Sequence, residues 1–426
     1  MRIIEKAIST FVIEELYKGY QQWSGAVEGV NGFIYGIPCN SRRVMKFYPM
    51  DKSFAYIGPD LGGGEWDTWV KGAMANNGVI YCLPANSYRG ILKINTNTDN
   101  VTELDINFPE RGGSNKWLSC DLALDGCIYF MPNNARRIFK LDPNNGDAVS
   151  SVGDDLGKGK WKYMGTVVGC DGCVYGMPNR TNRIIKYDPV NDTTSFVGEK
   201  ADEDFLCTGG ALGRDGCIYA LTKDGRVLKI DTTKNVHCFV GNRIAGCHLL
   251  PGYGWKDAIL GVDGCIYWPP RVARRVLKYD PHTNQTLLVG DDYDGVDVYK
   301  WVCGVLASNG NIYCFPFSGN RILFIDPLKE FSATTKLNMK GHPEELGYLF
   351  RRKEEDTTLS LTDFDHAVKK FGIEKVFKVL EECMPPMHKV YSTAGLCPFV
   401  IAASLPNVPL SVIYFMFRET LSVIDL

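Results

Sequence analysis

Residues 161–198 alternate apolar and polar positions in short bursts separated by turn residues. Residues 161–168 predict a first strand and 169–172 a turn. Residues 173–177 predict a second strand, 178–182 a loop and 183–187 a third strand. Asp188-Pro189-Val190-Asn191 has proline at the second position of a β-turn, and 193–197 predict a fourth strand closing at Gly198. Strands of about five residues with period-two alternation and regular turn signals indicate an all-β architecture.

The pattern recurs seven times. An Asn-Gly or Asp-Gly turn precedes an apolar run ending in tyrosine, with glycines at 32, 78, 126, 172, 216, 264 and 310. A period in the forties with strand content predicts a seven-bladed β-propeller of four-stranded blades. Other positions keep the same register. Six residues after the glycine lie Pro38, Pro84, Pro132, Pro178, Pro270 and Pro316. Nine before it lie Trp23, Trp69, Trp117, Tyr163, Trp255 and Trp301. Eleven after it lie Arg43, Arg89, Arg137, Arg183, Arg275 and Arg321, with Arg226 as the counterpart in a shorter fifth copy.

Closing seven blades into a ring removes exposed sheet edges. Small first-strand residues, among them Gly25, Ala73, Gly165, Gly209 and Gly304, suit a crowded axis. The seventh copy lacks a fourth strand of its own: residues 331–337 make a poor one, and residues 9–13 are the candidate replacement. The chain therefore divides into an N-terminal helix or strand segment (1–20), a propeller (21–337) and a small C-terminal α-helical extension (341–426). Within the extension, residues 393–403 resemble the turn and first helix of an ankyrin repeat. One such unit does not bury its own apolar face, so it is expected to dock on the propeller or on another chain.

Composition narrows the function. The 426 residues carry a formal net charge of −2, which supplies no global field for nucleic acid or anionic membranes. No apolar run is long enough to predict a membrane span: the nearest, 408–424, contains Arg418 and Glu419. Fifteen cysteines, an odd number, and an N-terminus with scattered charges predict free thiols in a reducing, cytoplasmic setting.

The Asp-Gly-Cys-Ile-Tyr run, followed by proline and then Arg-Ile-x-Lys-x-Asp-Pro, resembles propeller repeats of the virginiamycin-B-lyase-like and NHL-like type. It is most similar to a set of propeller-repeat proteins common in diatoms and related algae. The resemblance covers about three quarters of the chain and implies the propeller fold. The lyase-like families carry a catalytic histidine and acidic metal ligands at particular blades. No position here matches that motif, so the resemblance implies no activity.

The candidate chemistry is sparse. The arginine series and the fourth-to-first connections emerge on one face. There the guanidiniums either bind an anionic partner around a channel mouth or stack on aromatic rings and bond loop carbonyls. Asp292 and Asp294 stand in an acidic connection without the spacing of an EF-hand. Cys170 and Cys173 have a metal-like spacing but no second pair, and Cys127, Cys173, Cys217 and Cys265 read together as small apolar residues packed between blades. No serine elbow, phosphate loop, catalytic set, metal set or cofactor motif stands out. The expected function is a non-enzymatic scaffold that holds protein partners at its rim and self-associates through its tail. The alternative is a metal-dependent lyase or lactonase-type enzyme, with acids from separate blades converging on the axis. A third option is carbohydrate binding by Trp66, Trp268 and Tyr293.

Overall fold

The structure, a computed structural model, describes residues 8–12, 21–62, 68–85, 89–106, 108, 110, 113–201, 205–244, 254–293 and 299–328. Seven four-stranded antiparallel sheets form the ring, as the repeats predict. Blades 1 to 6 span 23–57, 69–104, 117–152, 163–197, 207–240 and 259–289, and blade 7 begins at 305. In each of the first six the strands run in chain order from the hub outward. The helices expected in 341–426 lie outside the described residues.

Each turn is built by its own side chain. The Asn or Asp before the glycine accepts a hydrogen bond from the backbone N–H two residues on, at 3.0–3.2 Å in all seven blades. The glycine then takes φ of 74–82°, a left-handed geometry that costs it no steric strain. The tyrosine four residues after the Asn or Asp is at most 1% exposed, and its hydroxyl returns to that residue. Turn, strand and buried hydroxyl thus close a single loop of bonds.

The aromatic and proline series are cross-strand partners. Trp23, Trp69, Trp117 and Tyr163 face Pro38, Pro84, Pro132 and Pro178, and isolated bridges join Trp255 to Pro270 and Trp301 to Pro316. A bulge follows the aromatic residue in blades 1 to 4 and re-aims the rest of the inner strand. In blade 4 that strand is Tyr163–Val168, shorter than the expected 161–168 because Trp161 is left-handed (φ 58°).

The ring closes through the N-terminus. Ile8–Val12 pairs antiparallel with Arg321–Ile325, from Ile8↔Ile325 to Val12↔Arg321, and supplies the outer strand of blade 7. The register is one residue earlier than the expected 9–13. Ile8 is 2% exposed and packs with Tyr267, Val276 and Trp301. Cores lie between blades: Tyr219 and Val227 of blade 5 share one cluster with Trp268 and Leu277 of blade 6. Cys127, Cys173, Cys217 and Cys265 are buried in four successive clusters of this kind. Burial pushes the Cys127 thiol up to about 11 and those of Cys173 and Cys217 up to about 12, so they act as packing groups.

Backbone hydrogen bonds also link blade to blade on the face where the connections arrive. Lys300 N–H donates to Arg271 O (2.9 Å), Phe317 to Lys300 (2.8 Å), Gln22 to Phe317 (2.7 Å) and Cys39 to Gln22 (2.9 Å). The series continues through Thr68, Ala85, Asn133, Lys162, Asn179 and Leu206 to Lys223, with one step passed between the neighbours Asn115 and Lys116. This belt satisfies loop groups that no sheet reaches.

Candidate functional site

The arginine series lies on the connection face, at the start of the third strands. Those strands stand two places out from the hub, roughly 10 Å away at ordinary strand spacing. The guanidiniums are therefore an outer rim and do not encircle the channel mouth. Their roles differ. Arg183 lies 4.8 Å from the Phe196 ring and Arg226 lies 3.8 Å from Phe239. Arg137 donates to Gly153 O. Arg89 lies 4.9 Å from Trp69, bonds Leu61 O and stands 3.7 Å from Glu103. Its register also needs correcting. The loop of blade 2 is one residue longer, so Gly90 occupies the place that Arg137, Arg275 and Arg321 fill elsewhere. The indole of Trp69 donates to Gly90 O at 3.0 Å, where Trp117, Trp255 and Trp301 donate to the arginine carbonyls at 2.8–3.0 Å.

Arg43, Arg275 and Arg321 are exposed, and among the described residues their guanidiniums make no ion pair or hydrogen bond. They stand on blades 1, 6 and 7, which adjoin around the ring.

A second arginine position was missed. Arg42, Arg136 and Arg274, each one residue earlier, hold Asp60, Asp155 and Asp292 through two guanidinium nitrogens, with the Nε bonds at 2.8–2.9 Å. These pairs clip each connection to its own blade, and the next residue buries an apolar group (Leu61, Leu156 or Tyr293). The Arg42 guanidinium holds the Asp60 carboxyl below the usual range, and Arg136 holds that of Asp155 at about 2. The signal was present as arginine doublets matched by an acid two residues after the closing glycine. Asp292 is thus already engaged, and Asp294 lies outside the described residues.

The hub is asymmetric, and sequence reasoning passed over it. Lys71, from the inner strand of blade 2, reaches across to Asp257 of blade 6 and bonds its two carboxylate oxygens at 3.1 and 3.0 Å. Burial disfavours the Lys71 ammonium, but Asp257 outweighs it and raises its pKa above the ordinary lysine value. Asp121 of blade 3 accepts N–H bonds from Val168 (3.0 Å) and Leu122 (2.9 Å). Burial raises its carboxyl pKa against the pull of those bonds and of Lys71. Burial also pushes the Cys303 thiol up to about 12, and that of Cys120 higher still.

Two acids from separate blades therefore do approach the axis, as the enzyme alternative requires. An ammonium occupies one of them, and no group of three or more His, Cys, Asp or Glu side chains suited to a metal forms among the described residues. The carbohydrate expectation is corrected: Trp268 is 1% and Tyr293 5% exposed, both inside blade cores, and Trp66 lies outside the described residues.

No family model matches the chain, and no curated protein sequence matches it. Solved structures do. A streptogramin B lyase structure aligns with a TM-score of 0.59 at 14% identity, covering 75% of this chain and 99% of that one. A catalytically inactive virginiamycin B lyase from Staphylococcus aureus with quinupristin aligns at 0.60 and 11% identity, covering 74% and 98%. The extracellular domain of a hybrid two-component system protein from B. thetaiotaomicron aligns at 0.56 and 10%, covering 75% of this chain and 42% of that one. At such identities the likeness is one of fold, so the chain shares the propeller architecture of these proteins.

Proposed function

We propose that the protein is a non-enzymatic binding scaffold that takes an acidic protein surface on the arc of rim formed by blades 6, 7 and 1. One observation carries the reading: Arg275, Arg321 and Arg43 expose guanidiniums on three consecutive blades that are unpaired among the described residues, whereas Arg89 and Arg226 have carboxylate partners in Glu103 and Asp224. Guanidiniums without an internal acid are free to form bidentate bonds with a partner's carboxylates. The repeat assignment to algal-type propeller proteins and a reducing, intracellular setting belong to the same reading. Residues 341–426 are proposed to mediate self-association.

Titration with poly-L-glutamate tests the rim. The full chain is expected to bind with an affinity that falls as salt rises, and the variant Arg43→Glu/Arg275→Glu/Arg321→Glu is expected to keep its Tm and lose binding. Equal binding by the variant would remove the proposal. Deletion of 341–426 is expected to leave the ring folded and lower the oligomeric state measured by light scattering.

A further inference from the structure

Blade 4 departs from the others at one aromatic position. Tyr163 stands where blades 1, 2, 3, 6 and 7 place tryptophan, so no indole reaches the Arg183 carbonyl as it does in four other blades. Tyr163 is 3% exposed and its hydroxyl bonds Thr181 instead. Beside it lies a cavity of about 360 Å³, partly open to solvent and walled also by Arg183, Phe196, Asp154, Asp155 and Lys162, whose ammonium is taken up by the carbonyls of Ala135 (2.6 Å) and Gly159 (2.7 Å).

The charges on these walls are unevenly satisfied. Asp155 is held by Arg136. Arg183 stacks on Phe196 and has no carboxylate partner, and Asp154 has no cationic partner among the described residues. Arg183 and Asp154 do not approach within the 4.0 Å of an ion pair. One cavity therefore presents, among the described residues, a cation and an anion without ionic partners, the ring of Phe196 and the edge of Tyr163. Its volume is that of a site for one small molecule.

We propose that this cavity binds a small amphoteric molecule of the amino-acid class: its carboxylate on Arg183, its ammonium toward Asp154, and its side chain against Tyr163 and Phe196. A planar guanidinium suits a carboxylate bidentately, and two opposite charges select against molecules carrying only one of them. The site is independent of the acidic partner proposed for blades 6, 7 and 1.

Isothermal titration of the full chain with L-phenylalanine and L-leucine tests it, with 3-phenylpropionate and phenethylamine as singly charged controls. At least one amino acid is expected to bind saturably, with a dissociation constant about tenfold or more below that of either control. Tyr163→Trp, which introduces the residue of blades 1, 2, 3, 6 and 7, is expected to abolish binding without lowering Tm. Arg183→Gln is expected to weaken the amino acid about tenfold while leaving phenethylamine unchanged. No saturable binding of either amino acid, a control that binds equally well, or unaltered affinity in both variants would overturn the proposal.

Discussion

Lys71 and Asp257, 186 residues apart in the chain, meet across the hub and tie blade 2 to blade 6. Removing one partner strands the other charge. Lys71→Met is expected to cost roughly 2 kcal/mol, below the 3–5 typical of fully buried pairs because the lysine side chain keeps 31% of its exposure. The double variant Lys71→Met/Asp257→Leu is expected to recover most of the loss. A double-mutant cycle by urea denaturation measures this, and additive losses would show that the pair is not coupled.

Each third-strand lysine finds a carboxylate in one of two ways. In blades 3 to 6 it is the blade's own turn aspartate: Lys186 bonds Asp171 at 2.7 Å, for example. Blades 1 and 2 have asparagine at the turn, and the next blade supplies the acid: Asp99 for Lys46 at 2.6 Å, and Asp147 for Lys93. Blade 7 has Asn309 and, in place of the lysine, Phe324. Asp171→Asn is therefore expected to destabilise by about 1–2 kcal/mol. Adding Asn235→Asp, the counterpart of Asp99 in the following blade, is expected to restore stability. Thermal melts of the single and double variants decide, and no recovery would refute the exchange.

Acid sensitivity follows from carboxyl groups whose pKa values are depressed in the fold. The guanidinium of Arg136 holds Asp155 at about 2, and Asp60, Asp125, Asp171 and Asp215 are lowered too. Their contribution is complete above the unfolded value near 3.8 and is lost as pH falls through the folded values. Urea midpoints are expected to fall steeply between about pH 4 and pH 2. Asp121 has the opposite sign. Its raised pKa means that its ionisation disfavours the fold as pH rises above the unfolded value near 3.8, which offsets part of the stability that the other carboxylates gain there.

Gly165 has φ of 133°, and a Cβ there would lie 2.8 Å from the Gly209 backbone of the next blade. Gly165→Ala is expected to cost about 2 kcal/mol or more, because the obstacle is main chain. An unchanged denaturation midpoint would show that the hub relaxes freely.

Ile8 fastens the ring. Ile8→Ala empties a fully enclosed site and is expected to cost about 2–4 kcal/mol. Native-state hydrogen exchange is expected to show the loss of protection beginning in residues 321–325.

Local signals explain what was legible. The Asx-Gly turn, the tyrosine after it and the tryptophan–proline pairing lie within one blade, so their spacing states their contacts. Arg89 misled because a one-residue insertion in its loop moved Gly90 into register. The bonds of Lys46 to Asp99 and Lys71 to Asp257 escaped notice because each joins different blades, and no fixed offset predicts which side chains the ring brings together.

By itself, the order of residues determined the number of blades, the strand sequence within each and the turns that join them. Those features need only period-two alternation and left-handed glycines. Tertiary structure decided the rest: that residues 8–12 complete blade 7, that Lys71 and Asp257 span the hub, and that a cavity lies beside Tyr163 in blade 4. These depend on distances across the closed ring, which a linear repeat does not encode.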